Sequence, residues 1–212
     1  MHADKPFHSA HSEALNRVTA ALNAKNIGLA TDLALRAIAD GFENPLFLNL
    51  RAFCLENEGR DAEALSDLRR ASVLAPHDPH ILNALGLAYS RCGHHDDAIE
   101  AFEAATTEEP NFSQAHFNSG WSREEVGDLA TAKQCYLRAH ETQRNAAEPL
   151  GHLANLAARR GAWTEVRGYA EQALTFDRDN AAAVLALGKL EIEQGAFGKA
   201  EKRLRAFLGH PT

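Results

Sequence analysis

The residues of metal-ligand type gather at one place in the chain, at Cys92, His94, His95 and Asp96. Thiolate, imidazole and carboxylate groups are the ligands that zinc and other transition metals prefer. Adjacent histidines on a tight turn rarely point at one ion, and the sequence holds no second cluster with ligand spacing to complete a site. We therefore expect no metal and no cofactor, and interpret the cluster as polar residues of a solvated turn.

Catalytic motifs are missing from the sequence as well. There is no glycine-rich phosphate loop, no nucleophile elbow and no pair of carboxylates that the pattern would enclose in a pocket. Histidines such as His116 and His152 are more simply explained as polar contacts between helices. The sequence therefore predicts a protein that is not an enzyme.

Side-chain amides and apolar residues form the other recurring chemical feature. The amides are Asn49, Asn83, Asn118 and Asn155. The apolar residues between them are Phe53, Leu87, Phe117 and Trp121. An amide donates and accepts hydrogen bonds at once, so it can bind a peptide backbone without reading its sequence. Aromatic residues flanked by polar ones are the usual anchors of a protein interface.

These residues recur because the chain repeats itself every 34 residues. One series of small residues in this register is Val18, Ala52, Gly86, Gly120, Ala154 and Gly188. Such a period is typical of a solenoid, in which each repeat buries its apolar face against its neighbours. Six repeats follow, and their ranges are 11–44, 45–78, 79–112, 113–146, 147–180 and 181–212. We expect residues 1–10 to form a flexible tail.

The punctuation within a repeat predicts two helices. Glycine recurs at the fifteenth position, as Gly59, Gly93, Gly127, Gly161 and Gly195. A helix that ends in a turn favours a residue tolerant of positive φ at that point. Proline falls at the outer boundary of the repeats, where it ends one helix or begins the next. No segment reads as a strand.

The third repeat shows the pattern most clearly. Its two apolar stripes are Leu82, Leu85, Gly86 and Tyr89 on the first helix, and Ala98, Phe102 and Ala105 on the second, with Pro110 closing the repeat. At these residues the chain resembles the tetratricopeptide repeat family. The resemblance implies an all-α, right-handed solenoid of about six helix pairs. It is weakest in the first repeat, where Arg17 and Lys25 stand at the usual Leu and Gly positions.

The resemblance also implies where a partner binds, because the first helices of successive repeats line a concave groove in this family. The predicted groove residues are Asn49, Phe53, Asn83, Leu87, Phe117, Asn118, Trp121, Glu124 and Asn155. The alternative interpretation is that the amides are tolerated on a solvated helix face and the aromatic residues are partly core.

The charge of the groove bears on the kind of peptide that it would bind. Some members of the family hold a chaperone's C-terminal carboxylate through a clamp of Lys, Arg and Asn, but here the groove positions carry only Arg91, Arg159 and Lys189. Their carboxylates are Glu56, Glu124, Glu125 and Glu148. The sequence therefore disfavours a chaperone-tail adaptor and favours a partner segment with some basic character.

Composition limits the partners and the compartment. The formal net charge is −7 and the pI is near 5.9, so nucleic acid and anionic membranes are poor partners. Three cysteines without paired spacing make a disulfide framework improbable, and no apolar run is long enough to span a bilayer. These features indicate a cytoplasmic protein.

We interpret the chain as a non-catalytic scaffold that binds a protein or peptide partner in its central repeats, 45–180. One alternative is an N-terminal docking or targeting array of a larger bacterial enzyme, such as a tetratricopeptide-containing sulfotransferase. Another is a self-associating scaffold in which the open end of one array packs on another. The charged residues of the last helix could instead cap the array; they are Lys199, Glu201, Lys202, Arg203 and Arg205.

Overall fold

The structure is a computed structural model that describes residues 4–209, with side chains from residue 9 onward. Between residues 4 and 209 it contains helices and no strand, which confirms the all-α fold. The helices are α1 (Asp4–Asn23), α2 (Ile27–Ala39), α3 (Pro45–Asn57), α4 (Asp61–Leu74), α5 (Pro79–Arg91), α6 (His95–Glu108), α7 (Ser113–Glu125), α8 (Leu129–Thr142), α9 (Glu148–Arg159), α10 (Trp163–Phe176), α11 (Ala181–Glu193) and α12 (Phe197–Phe207). None of these helices combines the length and the apolar character that a bilayer crossing requires.

The chain divides into two compact units, 1–109 and 110–212. In the first unit, α1 pairs with α2, α3 with α4 and α5 with α6, while α2 packs on α3 and α4 on α5. In the second unit, α7 pairs with α8, α9 with α10 and α11 with α12, while α8 packs on α9 and α10 on α11. Each unit is thus three consecutive helix pairs, in which the second helix of one pair supports the first helix of the next.

Capping residues determine where the first helices begin. The Asn44 side chain accepts a hydrogen bond from the backbone N–H of Leu46, and Asp78 caps α5 in the same way. Proline follows each cap, at Pro45 and Pro79. It lacks a backbone N–H, but an N–H at this position would have no acceptor within the helix. The starts in the second unit are less regular, since Asn180 caps α11 without a following proline and α7 has neither a side-chain cap nor a proline at its start.

The short turn inside each pair uses a left-handed backbone conformation. Its glycines, at the fifteenth position, have φ between 69° and 85°, as the pattern predicts; they are Gly59, Gly93, Gly127, Gly161 and Gly195. In the first repeat Lys25 takes this position with φ of 55°, and it is the one non-glycine residue with positive φ among residues 4–209. A side chain in that conformation strains the backbone, so the first repeat contains the least favourable turn.

The two helices of a pair cross where a small residue meets a side chain sixteen positions later. A Cβ atom on Gly86 would lie 2.5 Å from Cε1 of Phe102, and one on Gly120 would lie 2.8 Å from Cε1 of Tyr136. Both rings are fully buried. Only glycine leaves room for an aromatic ring at this distance, so glycine and ring are fixed as a combination.

Other repeats fill the same crossing with different residues. The equivalent combinations are Ala52 with Leu68, Ala154 with Ala170, Val18 with Ala34, and Gly188 with Leu204. The combined volume varies, yet in no repeat do two large residues share the crossing. Packed helix pairs are therefore obtained from several combinations of residues.

The first helix differs from the sequence expectation at its start. Residues 1–10 are expected as a tail, whereas α1 begins at Asp4, and residues 1–3 lie outside the described residues. Pro6 does not prevent this, because backbone N–H groups in the first turn of a helix have no partner within it. The first helix is therefore longer than its counterparts.

Gly86→Ala is expected to lower the free energy of unfolding by about 1–2 kcal/mol, because the added methyl group displaces the buried Phe102 ring. Gly188→Ala is the matched control, since its Cβ would meet Leu204 at 3.6 Å, an ordinary contact. It should leave stability unchanged or raise it by up to about 1 kcal/mol through helix propensity. Urea unfolding measures both, and equal effects would contradict the crossing argument.

Gly127→Ala tests the turn separately from packing. A Cβ atom there would meet nothing within 4 Å, but φ is +85°, so the variant should lose about 1 kcal/mol through backbone strain alone. Gly168 lies inside α10 with equally open surroundings and no positive φ. Gly168→Ala should therefore raise the free energy of unfolding by about 0.5–1 kcal/mol. Thermal and urea unfolding should show opposite signs for the two variants.

Candidate peptide-binding surface

Five predicted groove residues belong to the second unit. Asn155 lies on α9, and the other four lie on α7: Phe117, Asn118, Trp121 and Glu124. Side-chain contacts join these two first helices, and we call the face that they form the α7–α9 surface. Its residues are Gln114, Phe117, Trp121 and Glu124 on α7, and Glu148, His152, Asn155 and Arg159 on α9.

Glu124 connects three helices. Its Oε2 accepts a hydrogen bond from the Tyr136 hydroxyl of α8 at 3.0 Å and lies 3.3 Å from Nδ1 of His152. Its Oε1 accepts from Nη1 of Arg159 at 3.3 Å. One carboxylate thereby ties the fourth repeat to the fifth.

Three rings pack beside that carboxylate. The centroid of Phe117 lies 5.6 Å from that of Tyr136 and 5.3 Å from that of His152, edge to face in the second case. Tyr136 and His152 are 4.9 Å apart. Such distances are those at which aromatic rings attract one another, so the cluster holds α7, α8 and α9 in one arrangement.

The surroundings keep Glu124 ionised and Tyr136 protonated. The hydrogen bond to His152, followed by that to Tyr136 and the charge of Arg159, lowers the pKa of Glu124 against the opposing effect of burial. Burial, and then the charge of Glu124, raises the pKa of the Tyr136 hydroxyl. The hydroxyl therefore acts as a permanent donor. This cluster positions helices, and its carboxylate already accepts hydrogen bonds from neighbouring groups.

A cavity of about 290 Å³ opens next to the ring cluster. Phe117 and Pro149 provide its apolar wall, and Gln114, Gln143 and the exposed Glu148 provide polar groups. Small-molecule pockets usually range from about 300 to 1,000 Å³, so this cavity suits one side chain of a bound peptide. It combines an aromatic ring with a carboxylate that stands in the first turn of α9.

The predicted amides of the second unit are placed differently from the expectation. Asn118 is buried, and its Oδ1 accepts a hydrogen bond from Nε2 of Gln114 at 3.0 Å. The Oδ1 of Asn155 is also buried, and no hydrogen-bond donor reaches it within residues 9–209. Trp121, by contrast, is 37% exposed. In this unit it is the aromatic ring of Trp121, more than the amides, that faces solvent.

In the first unit the amides and the apolar residues do not divide so clearly. Asn83 is buried, Asn49 and Leu87 are half-buried, and Phe53 is 51% exposed. Peptide binding by Asn49, Phe53, Asn83 and Leu87 remains a prediction. Burial makes Asn83 the least accessible of the four.

Arginines offset part of the negative charge that the sequence predicts for the groove glutamates. Arg91 lies 3.9 Å from Glu56, as Arg159 does at 3.3 Å from Glu124. Burial raises the pKa of Glu56, an effect that Arg91 opposes. Glu148 is exposed and lines the cavity, so its negative charge is more available to a partner than that of Glu56 or Glu124.

The turn with Cys92, His94, His95 and Asp96 brings few of these groups together. Nδ1 of His94 lies 3.8 Å from Asp97, a neighbour on α6. Across the part of the chain that the structure describes, no three His, Cys, Asp or Glu residues converge as metal ligands would.

Tyr136 and Gln143 support this surface although they were not among the predicted groove residues, whereas Glu148 was predicted as one of the groove carboxylates. Tyr136 reads as a packing residue, and its hydroxyl gains a role only because α8 brings it to Glu124. Gln143 and Glu148 line the cavity from the end of α8 and the start of α9. The sequence feature that could have indicated the cavity is the pair of polar residues Gln143 and Glu148, which stand on either side of the connection between α8 and α9.

Glu124→Gln should lower the free energy of unfolding at pH 7 by about 1–3 kcal/mol, because the carboxylate accepts hydrogen bonds from several donors. The pKa of folded Glu124 is lowered, so its contribution is complete above about pH 4.3 and is lost as the pH falls through the lowered value. The gap between the variant and the parent should therefore close in acid.

The control for Glu124→Gln is Glu125→Gln on the same helix turn. Glu125 is exposed, so this change should stay within about 0.5 kcal/mol at any pH. Urea unfolding at neutral and acid pH measures both variants. A gap for Glu124→Gln that does not change with pH would contradict the role of the charged carboxylate.

Comparison with known proteins agrees with this architecture. A family model described as Psidin, N-terminal TPR repeats region, matches residues 15–145. Among solved structures, Pseudomonas aeruginosa PilF shares 17% identity with a TM-score of 0.77, covering 95% of this chain and 93% of PilF. MamA from Desulfovibrio magneticus RS-1 shares 15% identity with a TM-score of 0.67, covering 78% and 93%.

A third solved structure contains a peptide. The first TPR of Spaghetti (RPAP3), bound to the HSP90 peptide SRMEEVD, shares 20% identity with a TM-score of 0.54 and covers 55% of this chain and 93% of its own. At these identities the structural likeness shows the fold. The helix pairs and turn glycines of this chain follow the 34-residue pattern, and the family model matches more than half of its length. This protein therefore belongs to the tetratricopeptide repeat family.

Proposed function

We propose that this protein is a non-catalytic scaffold that binds an extended segment of a partner protein across the α7–α9 surface. The observation that carries the proposal is the cavity beside Phe117, which is lined by the starts of α7 and α9 and by the connection between α8 and α9, and whose volume suits one side chain. An interface commonly places its anchors in such pockets.

The lining favours a Lys or Arg side chain of the partner. Glu148 supplies a carboxylate, Gln114 and Gln143 supply amide groups, and Phe117 supplies a ring wall. A cation beside a carboxylate and an aromatic ring gains from both charge and ring attraction. This chemistry supports the basic character expected of the partner, and Glu148 is one of the four carboxylates predicted for the groove.

Trp121 offers a second contact on the same helix. It lies one turn along α7 from Phe117 and is 37% exposed, with enough apolar surface to cover a neighbouring residue of the segment. Tryptophan is among the residues that contribute most at protein interfaces. Together the cavity and Trp121 define two adjacent contacts for an extended chain.

The peptide-bound relative supports the general mode of binding. The first TPR of Spaghetti holds the HSP90 peptide SRMEEVD, so an array of this fold accommodates a short peptide. In the present chain Arg91 and Arg159 lie beside glutamates. That arrangement is a poor clamp for an acidic tail, which favours a basic segment for this protein.

The two alternative functions concern the context of the scaffold. A docking array of a larger bacterial enzyme, such as a sulfotransferase, would use the same surface to hold a substrate or a partner. Self-association would use another surface, at the end of the array.

Selection of short random peptides on the full-length protein tests the proposal. Selected peptides should be enriched in Lys or Arg next to an apolar residue, and their affinity should fall as salt rises. Glu148→Gln should weaken a selected peptide about three- to fivefold, the size expected of an exposed charge pair. Trp121→Ala should weaken it about tenfold or more.

Glu141→Gln is the matched control, because Glu141 is exposed on α8, a second helix, where it pairs with Arg138 at 3.0 Å. Its affinity for the selected peptide should equal that of the parent. Peptides without basic residues, or affinities unaffected by both Glu148→Gln and Trp121→Ala, would place binding elsewhere. Circular dichroism of each variant verifies that the helices are intact.

A further inference from the structure

The cavity beside Phe117 contains a hydrogen-bond acceptor whose orientation is set by a bond to a neighbouring residue. Gln114 lines the cavity, and its Nε2 donates to Oδ1 of the buried Asn118 at 3.0 Å. That bond occupies the donor branch of the amide, so the oxygen on the other branch is what Gln114 offers to the cavity. Asn118 thus acts on the surface through its neighbour.

Ser113, at the start of α7, is a second acceptor of the same kind. Its hydroxyl donates to the carbonyl oxygen of Ala139 at 2.9 Å, and the residue lines the cavity. Because the hydroxyl proton is committed to Ala139, the oxygen can only accept a further hydrogen bond. Ser113 and Gln114 therefore add two neutral acceptors to the charged one at Glu148.

Glu148 provides the charged acceptor of the cavity. It is exposed and is the first residue of α9. Unlike Glu124, it accepts no hydrogen bond from another side chain among residues 9–209. Both oxygens of this carboxylate can therefore accept from one planar donor, in the two-bond arrangement that a carboxylate forms with a guanidinium.

The ring of Phe117 forms a fixed wall of the cavity. Its centroid lies 5.6 Å from that of Tyr136 on α8 and 5.3 Å, edge to face, from that of His152 on α9. These neighbours restrain the ring, so the wall is in place before a partner binds. A contact that is already in position costs less to form on binding than one that must first be ordered.

We infer that this cavity selects an arginine of the partner segment over a lysine. The inference rests on the proposed function and names the residue that the α7–α9 surface recognises. A guanidinium is planar and carries five N–H donors in a fixed fork. It pairs with both oxygens of Glu148 and lies against the ring of Phe117. Its remaining donors meet the oxygens of Gln114 and Ser113.

A lysine is the poorer occupant of the cavity. Its donors radiate from one nitrogen, so they do not form the parallel pair with a carboxylate, and an ammonium is more strongly hydrated than a guanidinium. A lysine keeps the charge attraction to Glu148 but leaves the acceptors of Gln114 and Ser113 to water. Because the two cations have the same charge, hydrogen bonding and loss of hydration decide between them.

Three forms of one selected peptide test the inference on the full-length protein, with arginine, lysine or asymmetric dimethylarginine at the same position. Dimethylarginine keeps the charge but blocks the paired hydrogen bonds. Titration calorimetry should show the arginine peptide binding about fivefold more tightly than either of the others. Gln114→Leu should reduce the arginine-to-lysine ratio to about twofold, mainly by weakening the arginine peptide.

Gln134→Leu is the matched control, because Gln134 is exposed on α8 and does not line the cavity. It should leave the arginine-to-lysine ratio at the parental value, and circular dichroism verifies that both variants keep their helices. Equal affinities for the arginine and lysine peptides, or an unchanged ratio in Gln114→Leu, would overturn the inference. The proposed function survives those results if Glu148→Gln and Trp121→Ala still weaken the arginine peptide. If neither variant weakens it, binding lies elsewhere and both proposals fail.

Discussion

The architecture depends on how closely the two helices of each pair approach at their crossing. A small residue on the first helix permits that approach, and the side chain sixteen positions later fills what space remains. In the fourth repeat the filling residue is Tyr136, whose ring is buried while its hydroxyl reaches Glu124. The packing of one helix pair therefore also sets the position of the polar groups that join it to the next pair.

Much of this fold could be predicted from the sequence, because its determinants are local. A turn glycine or a proline at a helix start acts within one repeat. Because such residues recur every 34 positions, a sequence pattern is enough to find them. The candidate surface was harder to predict. Asn118 occupies a helix position close to the expected stripe, yet it turns inward and bonds Gln114, its neighbour four residues earlier. One residue along a helix turns a side chain by about 100°, and spacing alone does not fix which of two neighbouring positions faces solvent.

Charge illustrates the same limit. The chain has a formal net charge of −7, but its ionised groups are arranged by the fold. Glu124 is held by His152, Tyr136 and Arg159, whereas Glu148 stands open beside a cavity. At the other extreme α12 is basic within an acidic protein. The local balance at each surface, which requires the coordinates, decides what kind of segment can approach it.

The helix crossings also suggest how such an array tolerates sequence change. The chain contains the combinations Gly86 with Phe102 and Ala52 with Leu68 at equivalent places. Either partner altered alone leaves a void or a clash, whereas an exchange of both reproduces a solution that already exists elsewhere in the molecule. Duplicated repeats can thus diverge along paired substitutions, and the two positions of a crossing are inherited as a single unit of variation.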